Sequence, residues 1–292
     1  MLARIAETSM ATIVDGRKIA FAILNDLETR VNVIKRQGGQ AALAVVMVGD
    51  HKPSQTYVRK KGESAQKIGV DFFKFVFPEK TDKETLKERL KQIQQEHQLA
   101  GMILQLPLPE RLWPFTREIV NQIEIDVDVD CLSHLALGRV MMGESALIPP
   151  TPGAIMEILK YHRVELAGKE VCLVGRGDLI GKPLAAILAH EPVTLVTCGR
   201  STPDLSHYTK TADIVITGVG KKDLLIGEMI KTGAVVIDAG VSFVGDQMYG
   251  DIDFASVSQK AGLVVPTPGG VGPITVAKLL ENTVKVAESR LK

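Results

Sequence analysis

Short apolar runs alternate with longer amphipathic segments along most of this 292-residue chain, and that alternation constrains the fold more than any other feature. Ala42–Val48, Phe72–Phe77 and Gly101–Leu106 are candidate strands in the first half. Val171–Val174, Thr194–Thr197, Asp213–Thr217 and Ala234–Asp238 are candidates in the second. The runs are short and rich in β-branched residues, as parallel strands buried on both faces should be. Between them lie helical patterns; Leu86, Leu90 and Ile93 recur at i, i+4 and i+7 and give one apolar stripe. Strand and helix in repeated alternation predict an α/β protein with mostly parallel sheets.

The length suits two domains. The break is expected near Ile148-Pro149-Pro150-Thr151-Pro152-Gly153, because three prolines in four positions cannot continue a helix or a central strand. A helical pattern over Ala154–Tyr161 follows. A second punctuated stretch, Pro266–Pro273, precedes a helix expected over roughly Thr275–Arg290. The expected division is 1–149 plus 275–292 as one unit and 150–274 as the other.

Composition excludes several function classes. A formal net charge of +1, with basic residues scattered in mixed-sign stretches, gives no field for nucleic acid or an anionic membrane. No run of 18 apolar residues suggests a membrane span, and MLARIAETSM does not read as a secretory signal. Met10 offers an alternative start. Cys131, Cys172 and Cys198 are odd in number and widely spaced, so neither a disulfide framework nor a zinc site is expected, and a reducing, cytoplasmic setting fits.

In the second half, Val171-Cys-Leu-Val-Gly175-Arg-Gly177-Asp-Leu-Ile-Gly181 reads as a strand, a glycine turn and a helix start. Glycines let backbone approach a pyrophosphate, and a helix N-terminus supplies free N–H groups. The spacing is GxGxxxG, one residue longer than the commonest dinucleotide fingerprint, and its plainer reading is a strand–helix turn. Its context, between a strand and an amphipathic helix carrying Leu184, Ile187 and Leu188, is what the mechanism demands. An NAD site usually places an acid after the next strand. Here that strand ends Cys198-Gly199-Arg200-Ser201, so Arg200, with Arg176 in the loop, favours a 2′-phosphate and hence NADP over NAD. A solvated turn arginine is the alternative. Thr217-Gly218-Val219-Gly220 follows the next strand, where close cofactor approach would call for glycine.

In the first half, Ser54, Tyr57 and Lys61 fall at i, i+3 and i+7, on one face of a helix. Tyr57 and Lys61 are an i, i+4 pair, suited to acid–base work, although a surface lysine is usually only solvated. Gln105 ends an apolar strand, where open α/β sheets bind ligands. Asp126, Asp128 and Asp130 alternate with valines and would share one face if extended. No neighbouring group completes a hard-cation site, so no metal is expected, and a loop acid bonding a ligand amine or backbone N–H groups is as plausible.

Together these residues resemble the bifunctional methylenetetrahydrofolate dehydrogenase/methenyltetrahydrofolate cyclohydrolase (FolD) family, from about Ile13 to Thr283. The family's S-x-x-Y-V-x-x-K stands as Ser54–Lys61, Q-L-P-L-P as Gln105–Pro109 and D-V-D as Asp128–Asp130. G-A-x-V-I-D-x-G stands as Gly233–Gly240, and P-G-G-V-G-P-x-T as Pro268–Thr275.

The resemblance implies an N-terminal α/β catalytic domain and a Rossmann-type NAD(P) domain with a folate cleft between them, in a homodimer. It implies oxidation of 5,10-methylenetetrahydrofolate by NADP, then hydrolysis to 10-formyltetrahydrofolate, a one-carbon donor for purine biosynthesis. Lys61 would move protons, Tyr57 would orient the folate, Gln105 would hold Lys61, and Asp130 would bond the pterin. Leu106, Pro107, Pro268, Gly269 and Gly270 would line the folate. Gly175, Arg176, Gly177, Ile180 and Gly181, then Arg200 and Ser201, then Thr217, Gly218 and Val219 would meet the cofactor, as would Gly240, Val241, Gly272 and Thr275.

The chain departs from the family pattern at Val127 (usually lysine), Cys131 (glycine), Ala136 (asparagine), Pro150 (cysteine), Gly177 (serine) and Ser242 (asparagine). Two other readings share a nucleotide domain: an amino-acid or shikimate-type dehydrogenase, and a non-catalytic nucleotide sensor. The first does not explain Tyr57 with Lys61 or the Pro268–Pro273 motif, and Lys61 with Gln105 argues against the second.

Overall fold

The computed structural model describes residues 11–245 and 247–291. The N-terminal decapeptide, on which the reading of signal sequence and start site rests, lies outside the described residues. The chain folds as two compact units, residues 20–153 with 275–291, and residues 11–19 with 154–274.

The first unit is built on a three-stranded parallel sheet. Its strands are β2 (Ala42–Val48), β3 (Asp71–Phe77) and β4 (Gly101–Leu104), in the order β3-β2-β4. Every residue of β2 is buried, and the pleat divides them: Leu43, Val45 and Met47 enter one core, Ala42, Ala44, Val46 and Val48 the other. The first core is closed by helices α1 (Gly16–Arg36), α2 (Lys52–Lys67) and α10 (Val271–Ser289), through Leu27, Val31, Val58 and Leu280 among others. The second is closed by α3 (Lys83–Glu96), whose buried residues are Leu86, Leu90 and Ile93, the stripe read from the sequence. Asp82 caps α3 by accepting from the Thr85 N–H at 2.9 Å. β4 stops two residues before the predicted end, ahead of Pro107, which has no N–H to give to a ladder.

The second unit holds a six-stranded all-parallel sheet. It comprises β1 (Thr12–Ile13), β5 (Glu170–Val174), β6 (Thr194–Cys198), β7 (Ile214–Thr217), β8 (Val235–Asp238) and β11 (Leu263–Val265), ordered β1-β11-β8-β7-β5-β6. Starting from β5, this is the 2-1-3-4-5 doubly-wound order with β1 added at the far edge. It puts the topological switch point between β5 and β7, where ligands bind beyond the strand ends. A separate hairpin, β9 (Ser242–Val244) with β10 (Gln247–Tyr249), projects after β8.

Three boundaries differ from the sequence reading. Residues 11–19 were expected in the first unit, yet β1 pairs with β11 and the Val14 N–H reaches the Val264 carbonyl at 2.9 Å. The proline-rich stretch was read as unable to carry a helix, yet α6 (Pro150–Tyr161) begins at Pro150. First-turn positions have no intrahelical N–H partner to lose, so proline is tolerated there. For the same reason α10 starts at Val271, four residues before the predicted Thr275, and carries Pro273 in its first turn.

All three cysteines are buried and free. The parallel register of β5 and β6 brings the Cys172 and Cys198 sulfurs to 3.8 Å, a proximity that their 26-residue separation hides. Among the described residues, no helix is long and apolar enough to cross a membrane, and no three His, Cys, Asp or Glu side chains are grouped to hold a metal.

Candidate active site

The reactive groups of the first unit converge from three segments. Helix α2 buries Ser54, Val58, Gly62 and Ala65. That leaves Tyr57 and Lys61 half-buried beside the buried stripe. Lys61 Nζ donates to Gln105 Oε1 at 2.9 Å. Gln105 is itself fixed: its amide nitrogen donates to the Leu106 carbonyl at 2.7 Å and its backbone N–H to Val46 at 2.8 Å. The glutamine can therefore present only its oxygen to Lys61. His51 Nδ1 and Ser54 Oγ lie 2.9 Å apart at the start of the same helix.

The third segment carries the acids. Asp126, Asp128 and Asp130 do not share one extended face, because the chain turns through this stretch and Asp128 alone bridges to Met102. Asp126 is exposed. Asp128 is buried and accepts from the Ser133 N–H at 2.9 Å and the Leu132 N–H at 3.3 Å, so its work is to hold the turn. Asn282 on α10 donates to the carbonyls of Val129 and Ile148 at 2.8 and 2.7 Å and ties the turn down. Cys131 has φ +54°, a left-handed backbone, which gives a physical reason for the glycine usual there. Val127, where a lysine is usual, packs into the second apolar core.

Asp130 is the acid whose charge Lys61 senses, and the effect is mutual. Burial pushes the Lys61 ammonium below the ordinary lysine value, against the opposing pull of Asp130. Burial pushes the Asp130 carboxyl up to about 6, with Lys61 resisting and Asp128 adding to the push. Burial also raises the Tyr57 phenol. The cause of the lysine shift is thus loss of water. Each group is moved toward its neutral form, the direction that makes a lysine available as a proton acceptor.

The second unit offers a cradle shaped by backbone. Gly175 follows β5 with φ +119°, and a Cβ there would stand 2.6 Å from the Gly218 carbonyl oxygen. A Cβ on Gly181, the first residue of α7 (Gly181–Leu188), would collide with the Gly175 carbonyl. Ile180 packs over Gly218, whose Cβ would lie 3.1 Å from it. The turns after β5 and β7 therefore interlock at the switch point, with α7 directed from it. Nothing lies within 4 Å of a Cβ placed on Gly177, so that departure from serine leaves open space beside the loop. This cradle fits a pyrophosphate, which needs bare backbone and a helix start.

The arginines differ in setting. Arg176 donates to the Thr197 carbonyl at 2.7 Å and lies against Gly199. Arg200 and Ser201 are exposed on the turn after β6. Both arginines thus stand at the end of the strand whose tip reads the ribose in this architecture.

Other expected cofactor residues behave unequally. Val219 and Val241 are exposed. Thr217 is fully buried, with its hydroxyl on Asp238 Oδ1 at 3.3 Å, so its side chain serves the turn and faces away from solvent. Thr275 falls in the first unit, its hydroxyl 3.4 Å from that of Thr151. Pro268, Gly269 and Gly270 lie in the second unit, where the Gly269 carbonyl accepts from Gly16 N–H at 3.0 Å. Sequence reasoning missed Asp251, which binds two N–H groups of the turn after β7.

Fold and site define a two-unit α/β protein, with a lysine–glutamine pair beside a buried acid-bearing turn in one unit and a glycine-lined backbone cradle in the other. Residues 14–130 match the tetrahydrofolate dehydrogenase/cyclohydrolase catalytic domain, and residues 149–291 its NAD(P)-binding domain. The chain belongs to the tetrahydrofolate dehydrogenase/cyclohydrolase family, the FolD proteins.

A bifunctional FolD protein of Nautilia profundicola is 40% identical over 282 residues, 96% of this chain and 99% of its own. The crystal structure of the bifunctional FolD enzyme from Campylobacter jejuni is 34% identical with a TM-score of 0.92, covering 96% of this chain and 99% of that one. That of the Trypanosoma brucei enzyme, complexed with NADP and an inhibitor, is 34% identical with a TM-score of 0.93, covering 97% and 99%.

Proposed function

We propose that the chain oxidises 5,10-methylenetetrahydrofolate to the 5,10-methenyl cation with NADP+ and then hydrolyses that cation to 10-formyltetrahydrofolate. The observation that carries this reading is the Lys61–Gln105–Asp130 arrangement. Nζ is held at 2.9 Å from an oxygen-presenting glutamine and depressed in basicity by burial.

Gly175, Gly177 and Gly181 would hold the cofactor's pyrophosphate, and Arg176 and Arg200 its 2′-phosphate. When bound, the nicotinamide supplies a hydride acceptor for the methylene carbon. The folate nitrogens stabilise the resulting cation themselves, so the protein's task in that step is orientation. Asp130 and Tyr57 would orient the pterin, with Leu106 and Pro107 supplying apolar surface beside them.

In the hydrolytic step water adds to the methenyl carbon. Neutral Lys61 takes a proton from that water, and the ring nitrogen N5 receives a proton as its bond to the carbon breaks. The formyl group stays on N10, and one proton is released to solvent. Gln105 keeps Nζ aimed throughout.

The free edge of β3, with Phe72, Phe73, Phe75 and Phe77 partly exposed, supports assembly as a homodimer through that edge. Three buried free thiols support a reducing, cytoplasmic setting. A shikimate- or amino-acid-type dehydrogenase would share a nucleotide-binding unit but leaves Tyr57 with Lys61 and the Pro268–Pro273 motif unexplained.

An absorbance assay with 5,10-methylenetetrahydrofolate and NADP+, repeated with NAD+, tests the reading. Reduced cofactor and 10-formyltetrahydrofolate should both form, faster with NADP+. Cofactor reduction without hydrolysis, or none at all, would contradict it.

A further inference from the structure

Two carboxylates outside the groups assigned above are buried together beneath the cofactor turns. Asp238, at the end of β8, is 1% exposed and Asp251, two residues beyond β10, is 0% exposed. Asp251 splits its oxygens between two backbone donors, Val219 N–H on Oδ2 and Lys221 N–H on Oδ1, both at 2.7 Å. Asp238 Oδ1 accepts from the N–H groups of Gly240 and Asp251, each at 3.0 Å, and from the Thr217 hydroxyl at 3.3 Å. Its Oδ2 accepts from Asp251 N–H at 2.9 Å and Ile252 N–H at 3.3 Å.

The two acids therefore join residues 217–221, 238–241 and 250–252 into one clasp. The packing leaves no slack. A Cβ on Gly240 would collide with the Asp251 carboxyl, and one on Gly250 with that of Asp238. Gly220, at φ +77°, would place a Cβ 2.9 Å from the Val241 carbonyl oxygen.

Burying two carboxylates together is a costly way to fix a turn; carbonyl acceptors would satisfy the same N–H groups without the desolvation. A carboxylate differs in demanding two donors in one geometry, and it grips them more strongly than a neutral acceptor does. What this clasp fixes is the direction of two exposed apolar side chains, Val219 (49% exposed) and Val241 (39%), at the mouth of the switch point.

We propose that Asp251 is a positioning residue for the dinucleotide, presetting the Gly218–Gly220 turn by holding the Val219 and Lys221 N–H groups before the cofactor arrives. The proposal rests on the cofactor reading above and adds to it the group that shapes the nicotinamide dinucleotide's contact turn. Asp251 itself touches no cofactor; it acts through Val219.

Asp251→Asn keeps the size but turns one acceptor into a donor facing an N–H. The dissociation constant for NADP, titrated directly, should rise about tenfold, the effect of one lost charge-assisted bond. The KM for NADP should rise likewise, with the turnover at saturating NADP reduced much less. Asp253→Ala is the structural control: Asp253 caps the short helix at Phe254–Ser258 by accepting from Ser256 N–H at 3.3 Å, two residues from Asp251. Its loss should lower the melting temperature and leave NADP affinity alone.

An Asp251→Asn protein that binds NADP like the unaltered chain, or an Asp253→Ala protein that loses as much affinity, would overturn the proposal. Should Asp251→Asn fail to fold, hydrogen exchange on the unaltered chain without nucleotide decides. Slow exchange at Val219 and Lys221 supports the preset turn, and fast exchange overturns it. Failure of the unaltered chain to bind NADP would instead remove the cofactor reading itself.

Discussion

The two units achieve their sites by opposite means. In the first, the candidate groups are side chains and burial tunes them: Lys61 on α2 meets Gln105 just past β4, and the loss of water moves Lys61 and the nearby Asp130 toward neutrality. In the second, the candidate cradle is backbone and side chains are kept out of the way. Gly175 and Gly181 are positions where a single methyl group would strike a carbonyl, and Asp238 and Asp251 spend their charges on N–H groups. A site of the first kind fails when one functional group is removed, although the fold survives. A site of the second kind fails when one atom is added, whereas trimming an outlying side chain costs only a graded amount.

That contrast can be broken or sharpened by four substitutions. The largest effect should come from Gly181→Ala, whose new methyl group displaces the loop at the start of α7; NADP affinity should fall on the order of 100-fold by titration. Retention of full affinity would show that backbone approach does not define the cradle. Gln105→Ala removes the oxygen that accepts from Lys61 Nζ at 2.9 Å and should slow methenyl hydrolysis by several tens of fold, in line with the loss of a hydrogen bond to a charged or chargeable group. The titrated NADP affinity should not move, and a parallel loss in both would blur the division between the units.

Arg200→Ala should raise the KM for NADP about tenfold and leave that for NAD in place, since only the former carries the 2′-phosphate. Equal effects on the two nucleotides would remove the phosphate assignment. The smallest effect is a displacement in pH. Asp130, when ionised, favours the charged form of Lys61. Asp130→Asn removes that pull, so the lysine gives up its proton at lower pH, and the acid limb of the hydrolysis profile should move downward. A limb that stays put or rises would mean that the two groups do not sense each other.

Much of the fold was legible because parallel strands buried on both faces cannot disguise themselves. The limits read for Ala42–Val48 are those of β2, and the period of Leu86, Leu90 and Ile93 marks the inner face of α3. What escaped was short or exposed. β1 has two residues, β11 has three before a proline, and the β9–β10 hairpin shows no alternation. The proline cluster misled because proline is a breaker only beyond the first turn, and α6 uses Pro150 at its start.

The candidate site divides the same way. Lys61 and Gln105 could be picked out by residue type and by family resemblance, but nothing in a separation of 44 residues announces a 2.9 Å contact. The acid alternation suggested a common face, and the turn at Asp128 dispersed it. Asp251 carried no signal, because a residue whose role is to hold two N–H groups is defined by where the turn after β7 comes to lie. Thr217 was read as facing the cofactor, and only the position of Asp238 shows that it turns inward.

The central claim is that one side chain separates the two reactions. Lys61→Met keeps the apolar length of the side chain and removes the proton acceptor. Hydrolysis of 5,10-methenyltetrahydrofolate, followed by the loss of its absorbance, should fall by at least about 100-fold in that variant. Titrated NADP affinity should match that of the unaltered chain. Hydrolysis at the original rate with Lys61 gone would contradict the account.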